Sequence, residues 1–228
     1  MLSGFRVGVA ASVPAMRDRL RGATYELSGA FVRAAWRHAA RWGAIGPRSR
    51  AGRRFGKFGT NSIICFPADT IFNEHFIHIG EGTMIGAHVT LSAGMMPGQQ
   101  CLTNPVVRIG DRCLIGKGSG IVGHLAIDIG NDVWTGHHVY ITDQNHGYDD
   151  ITRPISQQTM PESPVVIGDG SWIGYGTVVL PGARIGRHVT VGANSVVIGE
   201  LPDLCVAVGA PAKVIRRYVA GKGWTKEG

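Results

Sequence analysis

The sequence predicts an all-β fold: a left-handed parallel β-helix wound from hexapeptide repeats, with an N-terminal α-helical segment and a short C-terminal helix. Three observations predict it. An aliphatic residue followed by glycine recurs at Ile79-Gly80, Ile85-Gly86, Ile109-Gly110, Ile115-Gly116, Ile129-Gly130, Ile167-Gly168, Ile173-Gly174, Ile185-Gly186 and Val191-Gly192, and within each uninterrupted run the spacing is six or a multiple of six. The fifth slot of each hexad is small or β-branched, as at Thr83, Val89, Cys113, Ser119, Val133, Val139, Ser171, Thr177, Ala183, Val189 and Ser195. Finally, 34 glycines among 228 residues, with 7% aromatic and 17% charged side chains, ask for many tight corners and few bulky core groups, which excludes a helical bundle.

A period of six is neither helical nor a plain strand alternation. It fits a prism with three flat faces, one hexad per face and a glycine-tolerant turn at each edge, so that three hexads close a coil of about eighteen residues. The aliphatic residue points inward and stacks on its equivalents one rung, about 4.8 Å, above and below. Left-handed winding departs from the usual right-handed parallel crossover.

Upstream of the repeats, Pro14 to Trp42 reads as a helix, because Leu20, Leu27, Phe31 and Ala34 or Ala35 recur at helical spacing while Arg17, Arg21, Arg33, Arg37 and Arg41 occupy much of the remainder. GPRSRAGRRFGKFG then reads as a basic, glycine-broken linker, so that residues 1–57 form one segment and the solenoid runs over 58–209. Two excursions, 97–108 and 147–164, break the rhythm and end in the restarts NPVVRIG and SPVVIG. A long departure from a rigid solenoid calls for a functional reason. Residues 210–228, with GAPAKVIRRYVAGKGW, read as a short cap and tail.

The net charge of +7 is uneven: residues 1–57 carry +10 and the remainder −3. Any anionic partner of that charge therefore belongs to the N-terminal segment. Cys65, Cys101, Cys113 and Cys205 show no CxxC pairing and read as reduced thiols of a cytoplasmic protein. No apolar run is long enough to span a bilayer, and Val7 to Met16 is a poor signal-peptide core, since no small-residue cleavage pattern follows it.

The second excursion opens in ITDQNHGYDD, directly after His146. Neutral imidazole is the side chain best poised near pH 7 to take a proton from an attacking alcohol, whose own pKa is very high. A base of this kind is commonly oriented by a carboxylate or carbonyl at its other ring nitrogen, for which Asp143, Asp149 and Asp128 are candidates, with Asn145 beside them.

The hexads, an excursion opening at a histidine, the segment SWIGYGTVVLPGARIG and the ending VAVGAPAKVIRR together resemble the hexapeptide-repeat O-acyltransferases, in particular the maltose, galactoside and colanic acid acetyltransferase group. The resemblance covers roughly residues 59–218, about 70% of the chain, and omits the N-terminal helix. It implies that His146 is the general base, and that a second polar group from a preceding coil stands near it, with Ser119 and His124 as candidates in KGSGIVGH. It implies an acyl-CoA co-substrate, with no permanently bound cofactor. Pantetheine would lie beside Trp172, Tyr175, Gly176 and Ala193, where a backbone N–H near Tyr175 or Gly176 faces the developing oxyanion, and the CoA phosphates would lie on Lys213, Arg216 and Arg217. It also implies a homotrimer with each site between two solenoids, and a saccharide or glycosylated intermediate of glycan biosynthesis as acceptor. An arginine- and alanine-rich composition points to a high-GC bacterium, where one member of the group is the acyltransferase of methylglucose lipopolysaccharide assembly, with an acyl group longer than acetyl.

Other readings fare worse. Neither His75 with His78 nor His137 with His138 has the HxxxxH spacing of the carbonic anhydrases built on such solenoids, so no metal site is expected. A non-catalytic scaffold for protein or membrane assembly has no reason to combine His146 with a basic tail. The arginine-rich helix suits either an anionic membrane surface or the base of the solenoid, and no nucleic-acid recognition module accompanies its charge.

Overall fold

Each aliphatic-Gly pair becomes the end of a short strand and the start of a corner in the computed structural model, which describes residues 13–227. Most of the Val7 to Met16 stretch, weighed above as a signal core, lies outside those residues. Strands of successive coils pair in parallel and build three sheets of seven, nine and six strands, the three faces of the prism. The first face contains Ile77–Ile79, Val107–Ile109, Ile127–Ile129 and Val165–Ile167. The second contains Met84–Ile85, Leu114–Ile115, Trp134–Thr135, Trp172–Ile173 and Thr190–Val191, and the third Thr90–Ala93, Gly120–Gly123, Tyr140–Thr142 and Val178–Val179. The fold is thus a parallel β-helix with an N-terminal helix, Val13–Trp42.

The hexad residues behave as their pattern requires. Ile85, Ile115, Ile173 and Val191 form one inward column of the core, and their equivalents on the other faces are equally buried. The corner glycine is steric: a Cβ on Gly116 would lie 2.0 Å from the carbonyl oxygen of Gly136 in the next coil. The fifth-slot hydroxyls form buried ladders. Thr83 Oγ1 donates to Gly110 O at 2.7 Å and accepts from Cys113 N at 3.0 Å, and Ser171 makes the same pair of bonds with Gly186 O and Val189 N. Cys113 occupies the slot as a thiol, donating to Gly130 O, and burial pushes its pKa up. Along the edge between first and second faces, Asp111, Asn131, Asp169 and Asp203 each accept from a backbone N–H of the coil before. The corners are therefore cross-linked by side chains as well as by the sheets.

Two features differ from expectation. The chain divides into a unit ending at Trp42 and one beginning at Gly43, so the segment read as a linker belongs to the solenoid unit. Ile45 bridges Ile64 and Lys57–Phe58 pairs with His78–Ile79, which fold the segment onto the first coil. The second difference is at the other end. Among the described residues the tail contains no helix: Cys205–Val208 is followed by the antiparallel strands Lys213–Val219 and Gly223–Lys226, a hairpin that extends the second face. Val214, Arg216 and Tyr218 alternate with Ile215, Arg217 and Val219, and Gly221 and Gly223 have positive φ in and after the turn, as a hairpin requires.

Candidate active site

Both excursions leave the same edge, between third and first faces. The coil between them turns that corner through Gly123, His124, Leu125 and Ala126. This short corner is held by Asp143, fully buried, whose carboxylate accepts from the backbone N–H groups of His124 at 2.8 Å, Leu125 at 2.8 Å and Ala126 at 2.7 Å. Three converging donors hold the carboxylate firmly in place. Asp143 is thus the clamp of the neighbouring corner, which corrects its expected role as the group orienting His146.

The second excursion rises from Asp143 as a two-stranded ribbon. Ser163 N donates to Asp143 O, Asn145 N to Pro161 O and Gly147 N to Thr159 O, at 2.7, 3.1 and 2.9 Å. Its tip is closed by Asp150, which accepts from Thr152 N and Oγ1, and by Gln158, which binds Asp150 and Arg153. His146 stands at the root of this ribbon with its imidazole exposed, and among the described residues no hydrogen bond reaches its ring. Its backbone N–H donates to Asn145 Oδ1 at 2.9 Å, so Asn145 shapes the backbone beneath the base. Asp149 is exposed near the tip, and Asp128 is paired with Arg108 on the first face.

Ser119 does not face the base. It is 2% exposed in a fifth-slot ladder and accepts from Val139 N at 3.2 Å, a core position closed to any substrate. His124 is the polar group of the preceding coil that does lie at the right edge. Its side chain is 6% exposed and its Nδ1 is 3.5 Å from Glu162, on the returning strand of the ribbon. From the first excursion, Thr103 Oγ1 donates to Leu125 O. Cys101, of the same excursion, has its thiol pKa raised by burial and by the charge of Glu162. The two excursions therefore meet over the His124 corner.

The expected donor wall lies elsewhere on the prism. Trp172 projects from the second face, while Tyr175, Gly176 and Ala193 form the edge between second and third faces. Tyr175 packs edge-on against His138 of the coil below, centroids 5.5 Å apart. Gly176 N–H is taken by His137 O at 3.0 Å, which removes it as an oxyanion donor. His146 and this wall are separated by one hexad, roughly 15–20 Å of extended chain. In the tail, neighbours on a strand point to opposite faces. Arg216 opposes Val206 on the outer side, whereas Arg217 opposes buried Cys205 and is paired with Glu227 at 2.5 Å. The expected use of both arginines on one anion is therefore corrected: Arg217 faces away. An irregularity between Val206 and Ala207 brings Lys213 opposite Val208, on the same side as Arg216.

Comparison with known proteins supports this architecture. A bacterial transferase hexapeptide model (six repeats) matches residues 164–199, and a model of the hexapeptide repeat of succinyl-transferase matches residues 106–142. An Escherichia coli protein assigned to lipopolysaccharide biosynthesis as an O-acetyltransferase is 36% identical over 68% of this chain and 79% of its own. The chain belongs to the hexapeptide-repeat O-acyltransferases. An acetyltransferase-like protein of Mycobacterium tuberculosis is 39% identical over 62% of this chain, which spans only 42% of that relative, and galactoside O-acetyltransferase of Escherichia coli is 28% identical over 65% and 67%. Among solved structures, an N-acyltransferase from Bacillus cereus in complex with dTDP and coenzyme A superposes with a TM-score of 0.62 at 20% identity, over 77% of this chain and 93% of that one, a likeness of left-handed β-helix fold.

In this chain the sequence singled out the exposed histidine and missed the contact at the corner beside it. Glu162 attracted no attention because it sits eighteen residues after Gln144, yet the two form an antiparallel bridge. The signal was present in the matching of the excursion's ends: a ribbon that returns to the edge it left must pair its first and last residues.

Proposed function

We propose that the protein transfers an acyl group from coenzyme A to a hydroxyl of a saccharide or glycosylated intermediate, with His146 as general base and two solenoids contributing to each site. The observation that carries this reading is the separation of an exposed, rigidly rooted His146 from the Trp172, Tyr175 and Ala193 wall by a full face of the prism. Within one solenoid the two lie too far apart to act on one thioester. When the His146 edge of one copy stands against the wall of the next, as in a homotrimer, they can share a substrate. The acceptor oxygen then attacks the thioester carbonyl as His146 takes its proton; collapse of the tetrahedral intermediate breaks the C–S bond, and His146 returns the proton to the CoA thiolate. The relatives' names, an O-acetyltransferase of lipopolysaccharide biosynthesis and a galactoside O-acetyltransferase, support sugar hydroxyls as acceptors.

The test is release of free CoA from C2 to C10 acyl-CoA and succinyl-CoA in the presence of soluble sugars, which also reads the acyl length. Light scattering at micromolar concentration is expected to give a trimer mass; an active monomer overturns the shared site. The Val13–Trp42 helix, with exposed Leu27, Phe31 and Trp42 among its arginines, supports a peripheral contact with an anionic membrane, and among the described residues no helix is long and apolar enough to cross one. Co-sedimentation with vesicles containing anionic lipid, lost on replacing Arg33, Arg37 and Arg41 by Gln, checks that contact.

A further inference from the structure

Glu162 closes the second excursion and has no part in the chemistry above. The hydrogen bonds of the ribbon fix where its side chain stands. Asp143 with Ser163, Asn145 with Pro161 and Gly147 with Thr159 are the hydrogen-bonded pairs, so Gln144 and Glu162, which bridge each other, form the non-hydrogen-bonded pair between the first two, and the next such pair begins at His146. Directly opposed residues, and every second residue along a strand, share one side of a two-stranded ribbon. Glu162 and His146 therefore stand on the same side as diagonal neighbours, a separation of roughly 7–8 Å that side chains on both can narrow.

That side is a niche with three walls. The His124 corner is one: His124 Nδ1 lies 3.5 Å from Glu162 Oε1, a contact longer than an ordinary hydrogen bond. The first excursion is another, through Cys101, whose thiol feels the charge of Glu162. The ribbon with His146 is the third. Glu162 is 37% exposed, and among the described residues no hydrogen bond reaches its carboxylate and no Lys or Arg pairs with it. Both carboxylate oxygens keep open acceptor sites, and a neutral imidazole that acts as a base accepts as well. A ligand that spans the two must offer two donors. A sugar ring does so with two of its hydroxyls; a simple alcohol does not.

We propose that Glu162 is an acceptor-binding residue that sets the specificity of the transfer: its carboxylate accepts from a second hydroxyl of the sugar whose reacting hydroxyl lies on His146, and His124 is the positioning residue that keeps the carboxylate turned toward it. This rests on the sugar O-acyltransfer reading above. It makes the acceptor a polyol held by two hydroxyls of one unit, so that orientation selects which hydroxyl is acylated.

The experiment is steady-state kinetics of the full chain, read as CoA release from the best donor of the C2 to C10 series, with methyl α-D-glucopyranoside, methyl β-D-galactopyranoside and the monodeoxy forms of each. Saturation-transfer NMR of the same sugars, with no donor present, reads binding alone. In wild type, one deoxy position is expected to abolish transfer, because it removes the reacting hydroxyl, and a second to raise the sugar KM about tenfold or more, because it removes the hydroxyl on Glu162. Glu162→Ala is expected to raise the KM of the parent sugar by about tenfold, with kcat within about threefold and the acyl-CoA KM unchanged, and to erase the penalty at that second position. Glu162→Gln, which keeps one acceptor oxygen, is expected to fall between the two, and His124→Phe to raise the sugar KM by about threefold. An unchanged sugar KM in Glu162→Ala, with wild-type kcat, overturns the assignment and leaves sugar acyltransfer standing. A fall in kcat with the sugar KM unchanged also overturns it, and makes Glu162 a group that orients His146. If a sugar binds wild type by NMR and not Glu162→Ala, yet no donor releases CoA, the binding role is supported and the acyltransfer reading fails.

Discussion

The two excursions leave the same edge on either side of one coil, yet they are held in different ways. The first is gripped from inside the solenoid. Asn73, buried and at φ 56°, donates to Ala93 O and Met96 O and accepts from Gly98 N, while Gln99 closes the bend on Met95 N. The second is zipped to itself as a ribbon and is anchored at its root by Asp143. A loop gripped by the core has its polar groups committed; a ribbon that satisfies its own backbone leaves side chains free. That difference places the unpaired imidazole on the second excursion and makes the first a support for the His124 corner.

The largest expected effect removes what only the second excursion has. His146→Ala is expected to lower kcat by roughly 10²- to 10⁴-fold, the usual range for general-base catalysis, with CoA affinity unchanged by calorimetry. Comparable turnover in mutant and wild type would take His146 out of the mechanism. Next, Asp143→Ala leaves the N–H groups of three successive residues without their acceptor and is expected to cost about 3 kcal/mol or more, read as a drop in Tm of roughly 6–12 °C. A smaller loss would mean that water replaces the carboxylate.

Asn73→Ala removes the grip on the first excursion and puts alanine at a left-handed backbone position, for a loss of about 2–3 kcal/mol. Its kcat is expected to stay within about twofold of wild type, because the first excursion supplies no reacting group; a collapse of kcat without a stability change would erase the contrast. The smallest effect probes the place where the excursions meet. Burial, and then the charge of Glu162, hold the Cys101 thiol above its ordinary pKa. In Glu162→Gln the second cause is gone, the pKa falls, more thiolate is present at pH 8, and alkylation of Cys101 should be faster by about two- to threefold. An unchanged rate would separate the two excursions.

How much of this was legible follows from what each residue type must do. The core, the corners and the two interruptions could be read because a buried aliphatic and a glycine without room for a Cβ admit few substitutes. His146 was legible from where the rhythm stops. Asp143 was misread because three residues look close along the chain, whereas on an extended ribbon an odd separation points two side chains to opposite sides. Ser119 was misread for a related reason: a hydroxyl in the fifth slot is a core hydrogen-bonding element in this fold, as Thr83 and Ser171 show. The tail was expected to be helical, and KVIRRYV, which carries apolar and basic residues on both sides of an extended chain, does not mark itself as a strand; its pairing with Cys205–Val208 decides it.

The same hairpin has a consequence for self-association. A parallel solenoid is its own template, since the last rung offers a row of free backbone groups in the geometry that accepted every rung before it. Chain reversal at Pro211 and again at Gly221 covers that row with a hairpin, so that the edge of the second face becomes Gly223–Lys226, a strand running in the direction of the rungs again. What opposes growth of the second face into filaments is the charge at this new edge: Lys226, with Arg216 beside it, repels a second copy arriving end-on.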